Sequence, residues 1–209
     1  VINKTEGYYE TEAPKGSRSA VTLSDGSRVW LNSGTKLHYK TDFGIKSRDI
    51  CLDGEAYFIV AENKSIPFRV RAGEINITAR GTAFNVKAYK EENVVETTLE
   101  KGEVVVERVN DNENGPGYSH VVLKPNQKAV FIKSSHNLAV NDIKPGKITG
   151  AQIPEAKAKT SIIKVDTLVD TKLSTSWKDS KWIFRSELVH NLTPILERSY
   201  DSKIIFRDS

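Results

Sequence analysis

The side chains that could do chemistry are scattered along this chain, and their spacing assembles no reaction centre. Glu96, Glu100, Glu103 and Glu107 fall on or beside one expected hairpin and read as solvent-facing. Hydrolysis of a glycosidic bond needs two carboxylates held across a cleft, which this spacing does not supply. Asp25-Gly26 and Asp53-Gly54 are accounted for by turn geometry, since Gly supplies a positive φ and Asp bonds back to its own turn. His38, His120, His136 and His190 lie far apart, with none of the close His, Cys or carboxylate spacings of a zinc site. No Gly-x-Gly-x-x-Gly, Walker loop or Gly-x-Ser-x-Gly elbow occurs. The expectation is a protein with no catalytic residue, no metal and no cofactor.

Trp30, Trp177 and Trp182 are a different kind of candidate, because indole rings can stack on sugars. Core or interdomain packing competes with that use and is the stronger reading. The single cysteine, Cys51, sits between Ile50 and Leu52 and reads as a small buried thiol, with no helix start or neighbouring His to activate it. One cysteine also excludes an intrachain disulfide. The net charge of +4, from 31 basic and 27 acidic residues, contains no run of five like charges. A nucleic-acid groove, which needs clustered cations, is therefore not expected. No apolar stretch approaches the ~18 residues of a membrane span. Val1 opens directly in polar sequence and the chain holds no methionine, which reads as a processed or excised segment.

The elements that must carry these side chains are mostly strands. One local pattern recurs four times: apolar strand, tight turn, apolar strand, with a leucine one or two residues before the turn pair. The leucines are Leu23, Leu52, Leu99 and Leu123, and the turn pairs are Asp25-Gly26, Gly54 with Asp53, Lys101-Gly102 and Pro125-Asn126. Gly or Asn in each pair is what a hairpin turn demands. Alternation through Phe68–Ala72, Ile75–Ala79 and Phe84–Ala88 marks half-buried strands, with a change of phase at Gly81 that signals a bulge or a close backbone approach. Ala56 to Ala61 is apolar on both faces, as in a central strand covered on both sides. About ten to twelve short strands result. The uneven leucine spacing argues against a strict solenoid, leaving a curled β-sandwich or a short irregular β-helix of quasi-repeated hairpins.

Residues 1–17 read as a polar lead-in, 18–133 as the β domain and 134–176 as a linker with one strand near Ser161 to Val165. Residues 177–209 read as a partial α+β lobe. In it, Lys181–Arg185 and Lys203–Arg207 are expected strands around a helix N-capped by Asn191, with Pro194 in its first turn. Such a small β-α-β unit leaves a sheet edge, and an edge accepts a strand from another chain. Trp182, Phe184, Ile204, Ile205 and Phe206 are the candidate partner-binding residues.

Val21–Asn32 resembles the opening segment of the FecR-type regulators, the iron-dicitrate sensor family of anti-sigma factors. Arg48–Phe58, Pro67–Val70, Gly81–Val86 and Leu99–Val104 are similar to further segments of that family in the same order. Ser176–Phe184 with Leu196–Tyr200 resembles its C-terminal module, which is related to the short N-terminal domain of secretins and TonB-dependent receptors. Asp179-Ser180 stands where that module has Asp-Gly. The resemblance implies the periplasmic sensor region of a transmembrane anti-sigma factor. It further implies a partner, the N-terminal signalling domain of a TonB-dependent outer-membrane transporter, and relay to an extracytoplasmic-function sigma factor. It implies contact with the sigma factor only through a cytoplasmic part, and with the membrane only through an anchor helix, that these residues do not contain. The alternative is a carbohydrate-binding β module of the cell envelope, and a hydrolase is a more distant rival.

Overall fold

The computed structural model describes residues 7–109, 120–133 and 163–206, with the backbone course of residues 2–5. The strands are β1 (Ile2–Thr5), β2 (Tyr8–Ala13), β3 (Ser19–Thr22), β4 (Arg28–Leu31), β5 (Thr35–Lys40), β6 (Arg48–Ile59) and β7 (Phe68–Ala72). They continue with β8 (Ile75–Ala79), β9 (Ala83–Ala88), β10 (Val94–Lys101), β11 (Val104–Arg108), β12 (His120–Leu123), β13 (Gln127–Ile132) and β14 (Ile163–Thr167). A short helix α1 (Lys172–Thr175), a 3-10 turn (Ser176–Asp179) and the helix α2 (Val189–Tyr200) follow. The protein is mainly β, a curled two-faced sheet with a small C-terminal helical lobe. Residues 2–13, polar in composition, form β1 and β2, and β14 begins two residues after the strand expected near Ser161.

The strand order is β1-β2-β5-β6-β7-β8-β11-β12 on one face and β3-β4-β6-β9-β10-β13-β14 on the other, so β6 belongs to both. All pairings are antiparallel among the described residues except β6 with β7. Between the faces, Phe43, Phe68, Phe58 and Phe84 form a chain of rings at 6.0, 5.9 and 5.0 Å. Leu31, Leu37, Ile50, Ile77, Leu99 and Phe131 fill the space around them. All four repeat leucines are buried.

The four repeats do not all turn the chain the same way. Asp25-Gly26 closes a true hairpin between β3 and β4. The other three carry the chain from one face to the other. β10 and β11 pair with different neighbours, as do β12 and β13, and Asp53-Gly54 is no turn at all, because β6 runs through it unbroken. Up to Asp53 that strand pairs with β5 and β7; from Gly54 onward it pairs with β4 and β9. Gly54 adopts φ 120°, and a Cβ there would stand 2.5 Å from Thr35 Oγ1 and 2.7 Å from Thr35 Cα. Thr35 Oγ1 accepts from the Glu55 N–H at 2.9 Å and donates to the Glu55 carbonyl at 3.1 Å, pinning the crossing. Gly81, where the phase changes, likewise joins β8 on one face to β9 on the other.

Arg48 begins β6 and is fully buried. Its guanidinium donates to Asp25 Oδ2 at 3.0 Å, to the Ala61 carbonyl at 2.9 Å and to the Ile66 carbonyl at 2.8 Å. Asp25 in turn accepts from the N–H and hydroxyl of Ser27. The first hairpin, the start of β6 and the loop after it are thus tied by one charged fork whose hydrogen bonds offset its desolvation.

Cys51 is exposed, contrary to the buried thiol expected. The two-residue period of β6 turns Ile50 and Leu52 into the core and Cys51 outward. Its cross-strand neighbours are His38 on β5 and Arg71 on β7, which no local window of sequence could show.

Gly54→Ala should destabilise the protein by about 3 kcal/mol or more, through clash with the Thr35 backbone and an unfavourable φ. Gly73→Ala, at φ 61° with open space around it, should cost about 1 kcal/mol. Urea unfolding of the two variants checks this, and equal losses would refute the crossing as the constrained point.

Candidate functional site

The outward side of the β4–β6–β9–β10 face is polar, and the C-terminal lobe lies on it. Because Ala56 and Phe58 point into the core, Glu55 and Tyr57 point out. Glu55 is nonetheless buried. Its Oε2 accepts from Asn32 Nδ2 at 2.8 Å and its Oε1 from Asn85 Nδ2 at 2.9 Å. Asn85 Oδ1 then accepts from the indole N–H of Trp177 at 3.1 Å, which joins the 3-10 turn of the lobe to the sheet. Burial raises the Glu55 carboxyl above its ordinary value, and the two amide bonds only partly oppose that.

Around this carboxyl the face is filled by pairs. Tyr57 donates to Glu100 Oε2 at 2.8 Å, and the Lys178 ammonium of the lobe sits 5.0 Å from the centre of its ring. Burial first, and then the Glu100 bond, push the Tyr57 phenol up, so it stays a donor. Lys87 pairs with Glu92 at 2.8 Å and Lys128 with Glu96 at 3.0 Å. Arg198, in the last turn of α2, reaches Glu91 at 3.1 Å and Glu92 at 2.6 Å. Its guanidinium also lies 3.7 Å from the centre of the Tyr89 ring, and Tyr89 donates to the Ser33 carbonyl at 2.9 Å. A groove of about 630 Å³ remains between sheet and lobe, with Glu55, Asn85, Lys87 and Lys128 on the sheet side and Trp182, Phe184, His190 and Ile195 on the lobe side.

The expected site residues divide into two groups. Trp182 and Phe184 come together, stacked at 5.9 Å and 9°, with the Arg18 guanidinium 4.9 Å from the Trp182 ring, and both line the groove. Ile204, Ile205 and Phe206 follow the end of α2 and do not line it. Neither segment is a strand, which corrects the β-α-β reading. Lys181–Phe184 and Lys203–Phe206 have strand-like composition but no ladder partner among the described residues. The helix between them is present, starting at Leu188 as N-cap in place of Asn191, so Pro194 lies in its second turn.

The three tryptophans form no shared platform. Trp177 is buried, while Trp30 packs edge-on against Tyr57 with Arg28 over its ring, away from the groove. Among the described residues no three His, Cys, Asp or Glu side chains gather as a metal site requires. Sequence reasoning missed Glu55, Asn85, Tyr89 and Arg198. Only Glu55 left a local trace, as the acid directly before the Ala56–Ala61 run that is apolar on both faces.

A carboxyl whose folded-state pKa is raised holds its proton more tightly in the folded protein. Its stabilising contribution is complete below the ordinary 4.5 and is lost as pH rises through the folded value. The unfolding free energy of wild type minus that of Glu55→Gln should therefore fall as pH increases from 4.5. Urea titrations across that range measure it; a flat or rising difference would rule out a carboxyl pKa raised by burial at Glu55.

Residues 8–105 match the family model described as FecR protein. A solved candidate anti-sigma factor from Parabacteroides distasonis ATCC 8503 superposes with a TM-score of 0.71 at 25% identity, over 93% of this chain and 75% of that one. A second structure of a candidate anti-sigma factor from the same organism gives 0.70 at 26% identity, over 92% and 74%. No curated protein matches the chain. The ordered segments of β3–β4, β6, β9 and β10, the fold they build and these likenesses agree: residues 8–105 are similar to the FecR family, and the fold is the one these solved structures share.

Proposed function

We propose that this chain is the periplasmic sensor region of a transmembrane anti-sigma factor. It receives a signal from the N-terminal signalling domain of a TonB-dependent outer-membrane transporter and relays it towards an extracytoplasmic-function sigma factor. The likeness of residues 8–105 to the FecR family and of the fold to the two candidate anti-sigma factors supports the sensor role. Among the described residues no helix is long and apolar enough to cross a membrane, so any anchoring would come from elsewhere in the protein.

The observation that carries the partner-binding part is where the lobe exposes apolar surface. Leu188 and Val189 at the start of α2, Tyr200 at its end, and Ile205 and Phe206 beyond it are all exposed, from 62% to 75%. Large apolar side chains gathered on a lobe of this size mark an interaction surface. The Lys203–Phe206 segment pairs with no strand among the described residues; the Ile204 N–H donates to Glu197 Oε1 at 2.8 Å, and a partner strand would add at the backbone of Ile205 and Phe206 beyond it. In the domain scheme this reading favours, residues 18–133, with β1, β2 and β14 added to their sheet, are the scaffold and 177–209 the contacting lobe. The carbohydrate-binding alternative loses its main support with the separation of Trp30 from the other two indoles.

Calorimetry of the chain against the signalling domain of the genomically adjacent transporter tests the proposal, with micromolar or tighter binding expected. Ile205→Pro removes one backbone donor at an exposed position. It should weaken that binding about tenfold and leave the urea midpoint of the β body unchanged. Absence of binding by the folded wild-type chain, or unaltered affinity in the variant, would count against the proposed surface.

A further inference from the structure

We infer that the C-terminal lobe is a displaceable clasp, fastened to the outer β4–β6–β9–β10 face by Arg198 and able to leave it as a unit. The contiguous apolar core runs from Ala13 to Ile163 and includes no residue of α1, the 3-10 turn or α2, although the lobe does bury Trp177 against the sheet. Apart from Trp177, what joins the lobe to the body is largely polar: the Trp177–Asn85 bond, the Lys178–Tyr57 contact, the Arg18 guanidinium over Trp182 and the three contacts of Arg198 with Glu91, Glu92 and Tyr89. One backbone bond adds to these, from the Gly16 N–H to the Arg198 carbonyl at 2.7 Å. The groove of about 630 Å³ shows that the two surfaces do not close on each other. Interfaces of this polar, incompletely packed kind belong to parts that move relative to one another.

The docking face is also satisfied without the lobe. Glu55 keeps Asn32 and Asn85, Tyr57 keeps Glu100, and Tyr89 keeps the Ser33 carbonyl. Glu96 keeps Lys128, and Glu92, which Arg198 shares, keeps Lys87. Departure of the lobe therefore strands no buried charge in the sheet, which is the penalty that makes most polar interfaces hard to open. On the far side α2 carries Val189 and Tyr200 into solvent, so the helix has a polar claim on one side and an apolar one on the other. What the clasp regulates rests on the sensor reading above; the clasp itself does not.

Hydrogen exchange on the full chain tests it. A helix as short as α2 is marginal alone in water, so protection of its amides reports docking. In Arg198→Ala, exchange across Val189–Tyr200 should accelerate about tenfold or more, the factor set by losing a charge-assisted hydrogen bond. The amides of β6 and β9 should keep their wild-type rates. Arg198→Lys, which retains charge but not the fork, should lie between, and Arg185→Ala, at an exposed lobe position paired only with Asp170, should change nothing. Unchanged α2 exchange in Arg198→Ala would overturn the inference, as would acceleration that includes β6 and β9, since the lobe would then be part of the core. No partner enters this experiment, so its failure and a failure of transporter binding are separate results.

Discussion

The structure depends on one close approach, the Gly54 backbone against Thr35. It lets a single strand leave one face and enter the other without a turn, with β6 as the seam of a closed apolar interior. A side chain at Gly54 would meet the Thr35 Cα at 2.7 Å, so the two faces could not converge there. The crossing also fixes which side chains face out. Because Ala56 and Phe58 point inward after it, Glu55 and Tyr57 must point to the surface that the lobe covers. Arg48 secures the other end of the same strand, holding the first hairpin and the Ala61–Ile66 loop with one guanidinium. Scaffold and docking face are consequences of the same strand.

The strands were legible in the sequence because burial follows a period of two, and the four repeat leucines do lie in the core. Their connections were less legible for a physical reason. A Gly or Asn with positive φ serves a hairpin and a crossing equally well, and only distant pairing decides which forms. Asp25-Gly26 folds back because β4 can pair with β3, whereas Lys101-Gly102 crosses because β11 finds β8. Cys51 illustrates the same limit. Its position between two core residues is what places it outside, opposite His38 and Arg71. The Lys181–Phe184 and Lys203–Phe206 segments have strand composition, but strands need neighbours, and the lobe supplies none among the described residues.

The polar face under the lobe could not be assembled from local sequence at all. Asn32, Glu55, Asn85, Trp177 and Arg198 come from separate parts of the chain, and only the fold brings them into one network. Asn32, Asn85 and Arg198 read locally as ordinary surface residues. Together with Glu55 and Trp177 they form an interface held by hydrogen bonds, ion pairs and a cation over a ring, with Leu188, Val189, Tyr200, Ile205 and Phe206 of the lobe turned to solvent. That division of labour suits a sensor: a rigid β scaffold that presents a lobe without absorbing it into its core.

The central claim is that a protein partner is read by the lobe and not by the β body. Amide chemical-shift mapping of the chain, with the transporter's signalling domain added in steps, tests it most directly. The account predicts shifts concentrated in 182–206, with the strands of the scaffold affected only where α2 rests on them. Shifts centred on β7, β8 and β11, on the face far from the lobe, would contradict it.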